Sequence, residues 1–389
     1  MSSRSTRPYL SVVATSRNDD HGGNLLHRMQ LFVSGLLEQC RRHQLDAELI
    51  LVEWNPPANR PKLSEALSWP VENGRCDVRI IEVSQAIHSS FKCDQLPLLQ
   101  MIAKNAGIRR ARGEYVLATN IDILFSTQLI SFIASRRLKP NEIYRADRYD
   151  VPPNVSAHAS LDEQLDFCSR NVLRINSRRR TSDLSYNGTR TFETDVPSWT
   201  WGDWRRWPVT NEARGLAYGG TEYLGGRWPD VKAAIQRLQD RLFPNTLSNF
   251  MFQLPVNLHT NAAGDFTMLF SERWQALRAY PEFVGSCMHV DGLLCYMAHH
   301  SGLREVVLTD PMRIYHIEHG AGAVGNVEGD GAAVYYRATS SGLKKLSINE
   351  VYDWAIEMRR NGRAKIFNDE NWGLADYELP EIVISANKQ

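Results

Sequence analysis

Two groups of residues in this chain are of types that do chemistry and are spaced so that they can. The first is Asn120-Ile121-Asp122, which directly follows the apolar run Tyr115-Val116-Leu117-Ala118. A run of that length reads as a buried strand. Ligands of an open α/β sheet bind beyond the carboxyl ends of its strands. A carboxylate there can hold a divalent cation, which in turn holds phosphate oxygens. The competing reading is that Asp122 only caps a turn. The second group is His316 and His319, three residues apart. Neutral imidazole is a good ligand for ions of the Mn2+ type, so either histidine can join Asp122. His316 is favoured because it follows an apolar strand, and His319 is the alternative. On an extended segment the two need not face one ion, and a histidine that is merely hydrogen-bonded in a loop is the plainer possibility.

The elements that must position these residues follow from apolar periodicity. Leu98, Leu99, Ile102, Ala103 and Ala106 fall at helical spacing ahead of the Asp122 strand, and Gly113 ends the basic run that begins at Arg109. Earlier strands are expected at residues 9–14 (YLSVVA), 49–52 and 78–83. Between the first two, Asn24 can cap a helix whose stripe is Leu25, Met29, Phe32, Val33, Leu36 and Cys40. Strands alternating with helices predict an α/β fold with a mostly parallel sheet and helices on both faces. Three polar tips then lie at carboxyl ends of strands: Thr15-Ser16-Arg17-Asn18 and the residues after them, Glu53 to Asn55, and Asn120 to Asp122. Their convergence is what a nucleotide pocket needs, although exposed loop tips have the same composition.

Further along, residues 141–151 read as a strand carrying charged side chains. Residues 152–257 are rich in Trp, Gly, Arg and Pro, with one helix expected after Pro229. Loops of this length are functional or disordered, and the aromatic content argues against disorder. Trp199, Trp201 and Trp204 can stack on sugar rings or simply pack. Ser301-Gly302 is a helix stop signal. The Gly-rich stretch 320–342 suits a mobile lid or a connector. Ser347 with Glu350 is a capping box that starts a helix closed by Gly362.

The pattern N-x-G-x-x-x-A-x-G-E, carried by Asn105, Gly107, Ala111, Gly113 and Glu114 and followed by a strand and a D-x-D-like tip, resembles the nucleotide-sugar half of GT-A glycosyltransferases. Asn120 stands where that family has the first acid of the tip, and Asp122 matches the second. The later order, with Asp265, then Tyr280-Pro281-Glu282, then Asp291 at a helix start and a late histidine, resembles the acceptor half. The resemblance covers roughly residues 9–122 and 261–319. It implies that residues 15–18 lie against base and ribose, that Glu53 contacts the base, and that Asn105, Arg109, Asn120 and Asp122 serve the donor. It places Asp265, Tyr280 and Glu282 on the acceptor side, where Trp201 could join them by stacking on a sugar ring, and makes Asp291 the general base. Arg145 and Arg148 fall where the family keeps arginines near the sugar phosphate, with an ordinary surface strand as the alternative. A metal ion, Mn2+ or Mg2+, would be held by Asp122 with His316 or His319.

The 389 residues suit one large domain or two, with expected segments 1–150, 151–260, 261–320 and 321–389. A net charge of +1 gives no sign of a general polyanion binder, so nucleic acid is not an expected partner. Six scattered cysteines without C-x-x-C spacing speak against a zinc site and fit a reducing compartment. No apolar run reaches about 18 residues, so no transmembrane segment is expected. The expectation is a cytoplasmic protein, with peripheral membrane association left open. The reading is a glycosyltransferase that moves a sugar from a UDP- or GDP-sugar to a carbohydrate or other hydroxyl acceptor, with metal dependence and inversion expected. A non-catalytic carbohydrate- or nucleotide-binding protein on the same scaffold, or a nucleotidyltransferase, are the alternatives.

Overall fold

The structure, a computed structural model, describes residues 7–70, 75–178, 180–184, 190–193, 255–285, 288–319 and 346–384. Its first half runs β1 (Leu10–Ser16), α1 (Leu25–Arg42), β2 (Ala47–Trp54), α2 (Leu63–Ala66), β3 (Cys76–Val83), α3 (Gln85–Ser90), α4 (Gln100–Arg109), β4 (Tyr115–Thr119), β5 (Ile123–Phe125), α5 (Thr127–Ala134), β6 (Glu142–Ala146) and β7 (Arg148–Val151). Next come α6 (Leu161–Arg170), β8 (Arg174–Asn176), β9 (Arg180–Asp183) and β10 (Arg190–Glu193). After residue 255 the described elements are β11 (Phe266–Phe270), α7 (Ser271–Leu277), α8 (Val290–His300), β12 (Arg304–Leu308), β13 (Ile314–Ile317), α9 (Ile348–Asn361) and β14 (Glu381–Ile384).

The strands form two sheets. The larger has the order β12-β6-β11-β4-β1-β2-β3-β14. Its centre, β4-β1-β2-β3, is parallel, as is the β6–β12 pair. β11 runs against both β4 and β6, and β14 runs against β3, so the sheet is mixed. Side chains alternate between two cores, as pleating requires. Leu10, Val12, Ala14, Leu49 and Leu51 pack with Met29, Phe32 and Leu36 of α1. Val13, Ile50, Val52 and Trp54 pack with Ile102, Ala103 and Ala106 of α4 on the opposite face. The whole expected stripe of α1 is buried. Asn24 does occupy its N-cap position, but in the left-handed region and without a side-chain cap; the Leu25 N–H is taken instead by Asp20 Oδ1 at 3.1 Å.

The second sheet, β10-β9-β8-β7-β13-β5, was not anticipated. Residues 141–151 are not one strand: the chain breaks at Asp147, passing from β6 in the first sheet to β7 in the second. It makes the same passage at Asn120-Ile121-Asp122, between β4 and β5. β13 lies between β7, to which it is parallel, and β5, to which it is antiparallel. Both sheets therefore meet where the expected chemistry sits.

The capping box of α9 forms as expected, with Ser347 accepting from the Glu350 N–H and Gly362 closing the helix at φ 63°. The tail packs back on the body through Trp372 and Leu374, both buried. Trp199, Trp201, Trp204, the helix expected after Pro229 and the Gly-rich stretch 320–342 lie outside the described residues. Among the described residues no helix is long and apolar enough to cross a membrane.

Candidate functional site

Asp122 sits just beyond the carboxyl end of β4 and is buried at 6 % exposure. Its Oδ2 faces three cationic or potentially cationic groups: Arg28 Nη1 at 3.1 Å, His319 Nε2 at 3.2 Å and His316 Nε2 at 3.7 Å. Both expected histidines therefore reach the same carboxylate, although His316 belongs to β13 itself rather than to the chain after it. One ligand atom from each of Asp122, His316 and His319 lies within 4.8 Å of the others. Burial raises the Asp122 pKa, but the His316 charge, the His319 hydrogen bond and Arg28 together hold it well below the usual carboxylate range. Asp122 Oδ1 and His319 Nδ1 are buried without a hydrogen-bond partner.

His316 is fixed from behind. Its Nδ1 meets Asp150 Oδ1 at 3.1 Å, which turns Nε2 toward Asp122. Asp150, fully buried in β7, is in turn paired with Arg148 at 2.8 Å and Arg174 at 3.0 Å and accepts from Asn176 Nδ2 at 2.9 Å. Arg148 also pairs with Asp265 at 2.7 Å, and Asp265 accepts a hydrogen bond from Asn120 Nδ2. Asn120 Oδ1 accepts from Lys104 Nζ at 2.7 Å and Gln100 Nε2 at 2.9 Å. A continuous polar chain thus runs Lys104–Asn120–Asp265–Arg148–Asp150–His316–Asp122–Arg28. With an amide at position 120, an uncharged group accepts from Lys104 and donates to Asp265, where a second acid would add charge beside Asp265. Asp150, His316 and Glu318 form a second group with metal-ligand spacing. There, however, Arg148 and Arg174 already neutralise Asp150, and Arg174 also pairs with Glu318.

Asp291 opens α8 and is joined to this chain through Gly264. Its Oδ2 accepts from the Gly264 N–H at 2.5 Å, while the Gly264 carbonyl accepts from Lys104 Nζ at 2.8 Å. Its Oδ1 accepts from the Gly292 N–H at 2.9 Å. Burial pushes its pKa up, against the pull of these two N–H groups. The side chain lines a cleft with Thr260, His289, Tyr296 and Ile348.

Other expected site residues hold the scaffold. Thr15 bridges strands by donating to the Val52 carbonyl at 3.0 Å, and Ser16 contacts Met29 Sδ at 3.4 Å. Arg17 Nη1 and Asn18 Nδ2 tie their loop to the carbonyls of Pro97 at 3.1 Å and Pro61 at 2.9 Å. Asn18 Oδ1 is buried and unpaired. Glu53, 1 % exposed, accepts from the Leu63 N–H at 2.9 Å, and burial, chiefly, raises its pKa to about 7. Asn105 clamps the Tyr280 backbone by donating to its carbonyl at 2.7 Å and accepting from its N–H at 3.0 Å, and it also donates to Glu282 at 3.0 Å. Glu282 further accepts from the Gly373 N–H at 2.7 Å. Arg109 lies over the Trp372 ring at 4.9 Å and donates to the Trp372 carbonyl at 3.0 Å. Arg145 is wholly buried rather than on a surface strand, and its guanidinium binds the carbonyls of His259, Asn261 and Ala263, ordering the loop into β11. Trp201 lies outside the described residues.

Sequence reasoning missed Arg28, Asp150 and Lys104. Arg28 did leave a signal: it stands three residues after Leu25, inside the apolar stripe of α1, where a lone guanidinium needs a buried partner. Lys104 likewise interrupts the buried face of α4.

The sequence matches no family model and no curated protein. Among solved structures the chain is similar to S. aureus TarS, with 12 % identity and a TM-score of 0.37 over 91 % of this chain and 43 % of that one. It is similar to TarS 1-349 in complex with UDP-GlcNAc at 12 % identity and a TM-score of 0.38, covering 72 % of that chain, and to TarS 1-349 at a TM-score of 0.37, covering 71 %. The chain thus spans less than half the length of the first of these structures.

Proposed function

We propose that this chain is a glycosyltransferase that takes a sugar from a nucleoside-diphosphate donor and passes it to an acceptor hydroxyl. The observation that carries the reading is Asp122: a buried carboxylate at a strand's carboxyl end, with one unpaired oxygen, facing two histidines from the distant β13 and the residues just after it. One carboxylate and two imidazoles suit a divalent transition-metal ion such as Mn2+ better than Mg2+, which prefers oxygen ligands, and the orphaned Asp122 Oδ1 is an atom such an ion or its bound water would satisfy. A cation there would neutralise the departing diphosphate. Asp150 keeps His316 aimed, and Arg28 adds a positive charge beside the same carboxylate.

Asp291 supplies the base. Its raised pKa and its place in a cleft suit proton removal from a hydroxyl. The acceptor oxygen forms a bond to the anomeric carbon as the bond to the diphosphate oxygen breaks, and the hydroxyl proton passes to the Asp291 carboxylate. A single base opposite the leaving group gives inversion.

Thermal shift against nucleoside diphosphates and nucleotide sugars, with Mn2+, Mg2+ or EDTA, is the test, because a ligand of the native state raises its apparent stability. A metal-dependent shift with one base is expected, and product NMR should then show an inverted anomeric centre. No shift with any nucleotide overturns the reading. A second reading, a metal-free binding protein on this scaffold, is favoured by one observation: Asn120 is fully engaged as a neutral hydrogen-bonding group. A shift that survives EDTA, without turnover of any donor, would establish it.

A further inference from the structure

Arg28 is the group at this site that the proposed chemistry leaves without a defined task. It is 2 % exposed and its guanidinium is divided between two duties. Nη1 meets Asp122 Oδ2 at 3.1 Å. Nη2 donates to the carbonyls of His21 at 2.5 Å and Gly23 at 3.1 Å, in the loop between β1 and α1. Nε is buried with no partner, so the side chain is not fully satisfied where it stands. The loop that Arg28 holds is pressed against the metal-ligand group: a Cβ on Gly22, whose φ is 72°, would lie 2.6 Å from His319 Nδ1 and 3.1 Å from Arg28 Nη2.

Arg28 occupies the same Asp122 oxygen that both histidines face. A divalent ion held by Asp122, His316 and His319 would sit within a few ångströms of a buried guanidinium, where like charges repel with little screening. Even an ion that took the unpaired Oδ1 would share the single charge of this carboxylate with Arg28 and stand close to its guanidinium. We propose that Arg28 and a divalent cation compete for the Asp122 carboxylate, Arg28 being the internal counter-ion of the metal-free protein. The inference rests on the metal reading of the site and adds regulation to it. Arrival of the metal frees Nη1 while Nη2 stays tethered to the loop 21–23, so metal occupancy is coupled to that loop, and the freed donor faces the region where a diphosphate would bring negative charge.

The experiment is a Mn2+ titration of the full chain followed by electron paramagnetic resonance of the free ion, on wild type, Arg28→Gln and Arg28→Met, with folding checked by circular dichroism melts. Removing the competing charge should tighten Mn2+ binding by about tenfold or more in either variant that folds. Equal or weaker binding in a folded variant overturns the competition while leaving the metal reading intact. Asp122→Asn should abolish binding in each background; binding that survives it places the ion elsewhere and overturns the proposal. No Mn2+ binding by wild type or either variant overturns both the proposal and the metal reading beneath it.

Discussion

At the scale of single residues, burial decides which acids are tuned. Asp291 holds both its oxygens on backbone N–H groups yet faces a cleft, so Asp291→Asn keeps the size, loses the basicity and retains only one of the two acceptors. Sugar transfer should fall by at least about a hundredfold while donor binding, read by calorimetry, stays near wild type; unchanged turnover would remove Asp291 from the role. Glu53 makes a different prediction. Its pKa of about 7 in the fold lies above the ordinary value, so the folded state binds the proton more tightly than the unfolded chain does. The stability it contributes is fully present below the ordinary glutamate range and is lost as pH rises through about 7. Glu53→Gln keeps the acceptor for the Leu63 N–H, so the variant should gain on wild type between pH 5 and 8, by at most about 3 kcal/mol. Parallel pH dependences of the two melting temperatures would refute this. Asp122 itself was legible, because a carboxylate after an apolar run is a sequence feature. The places of Arg28 and Asp150 were not, because each is set by a partner far along the chain, Asp122 and His316 respectively.

At the scale of elements, the resembled motif around α4 turns out to be mostly carpentry. Gly107 lets α4 lie on β1 and β2: a Cβ there would meet Val13 Cγ1 at 2.5 Å and Val52 Cγ2 at 3.0 Å. Both contacts belong to pleated, fully buried strands that cannot give way cheaply. Gly107→Ala should destabilise by about 1–3 kcal/mol, read by urea denaturation, and an unchanged midpoint would show that the helix can lift. Gly113 is tighter still, its Cβ position lying 2.5 Å from the Ser11 backbone nitrogen. Asn105 joins this motif to the Tyr280–Glu282 segment, so two stretches that looked like donor and acceptor signatures are one clamp. The central strands and α1, α4 and α9 were readable because each carries a long, regular apolar pattern. The second sheet was not, since β5 and β7 to β10 are only three or four residues long, β7 to β10 are mostly polar, and β5 and β7 are joined only through the distant β13.

At the scale of the molecule, the tail closes the fold over the end of α4 that faces away from Asp122. Trp372 is buried under Arg109, Arg110 Nη1 donates to the Gly373 carbonyl at 2.7 Å, and β14 adds Glu381 to the buried pair Arg79–Glu48. Trp372→Ala should cost about 3–5 kcal/mol and lower the melting temperature of the whole chain in one transition. A separate early transition confined to the tail would show that it is an appendage instead.

The position of β13 has a consequence for how the protein is made. β5 and β7 leave the ribosome early, but they never pair with each other; the gap between them is filled only when residues 314–317 arrive. Until then a nascent chain carries two unpaired strand edges and an Asp122 whose histidine partners have not been synthesised. The last of the second sheet's described strands to be made is thus also the one that completes the metal-ligand group. A chain stalled or cleaved before it would hold β1 to β4 without the Asp122–His316–His319 group, and with open edges that invite aggregation.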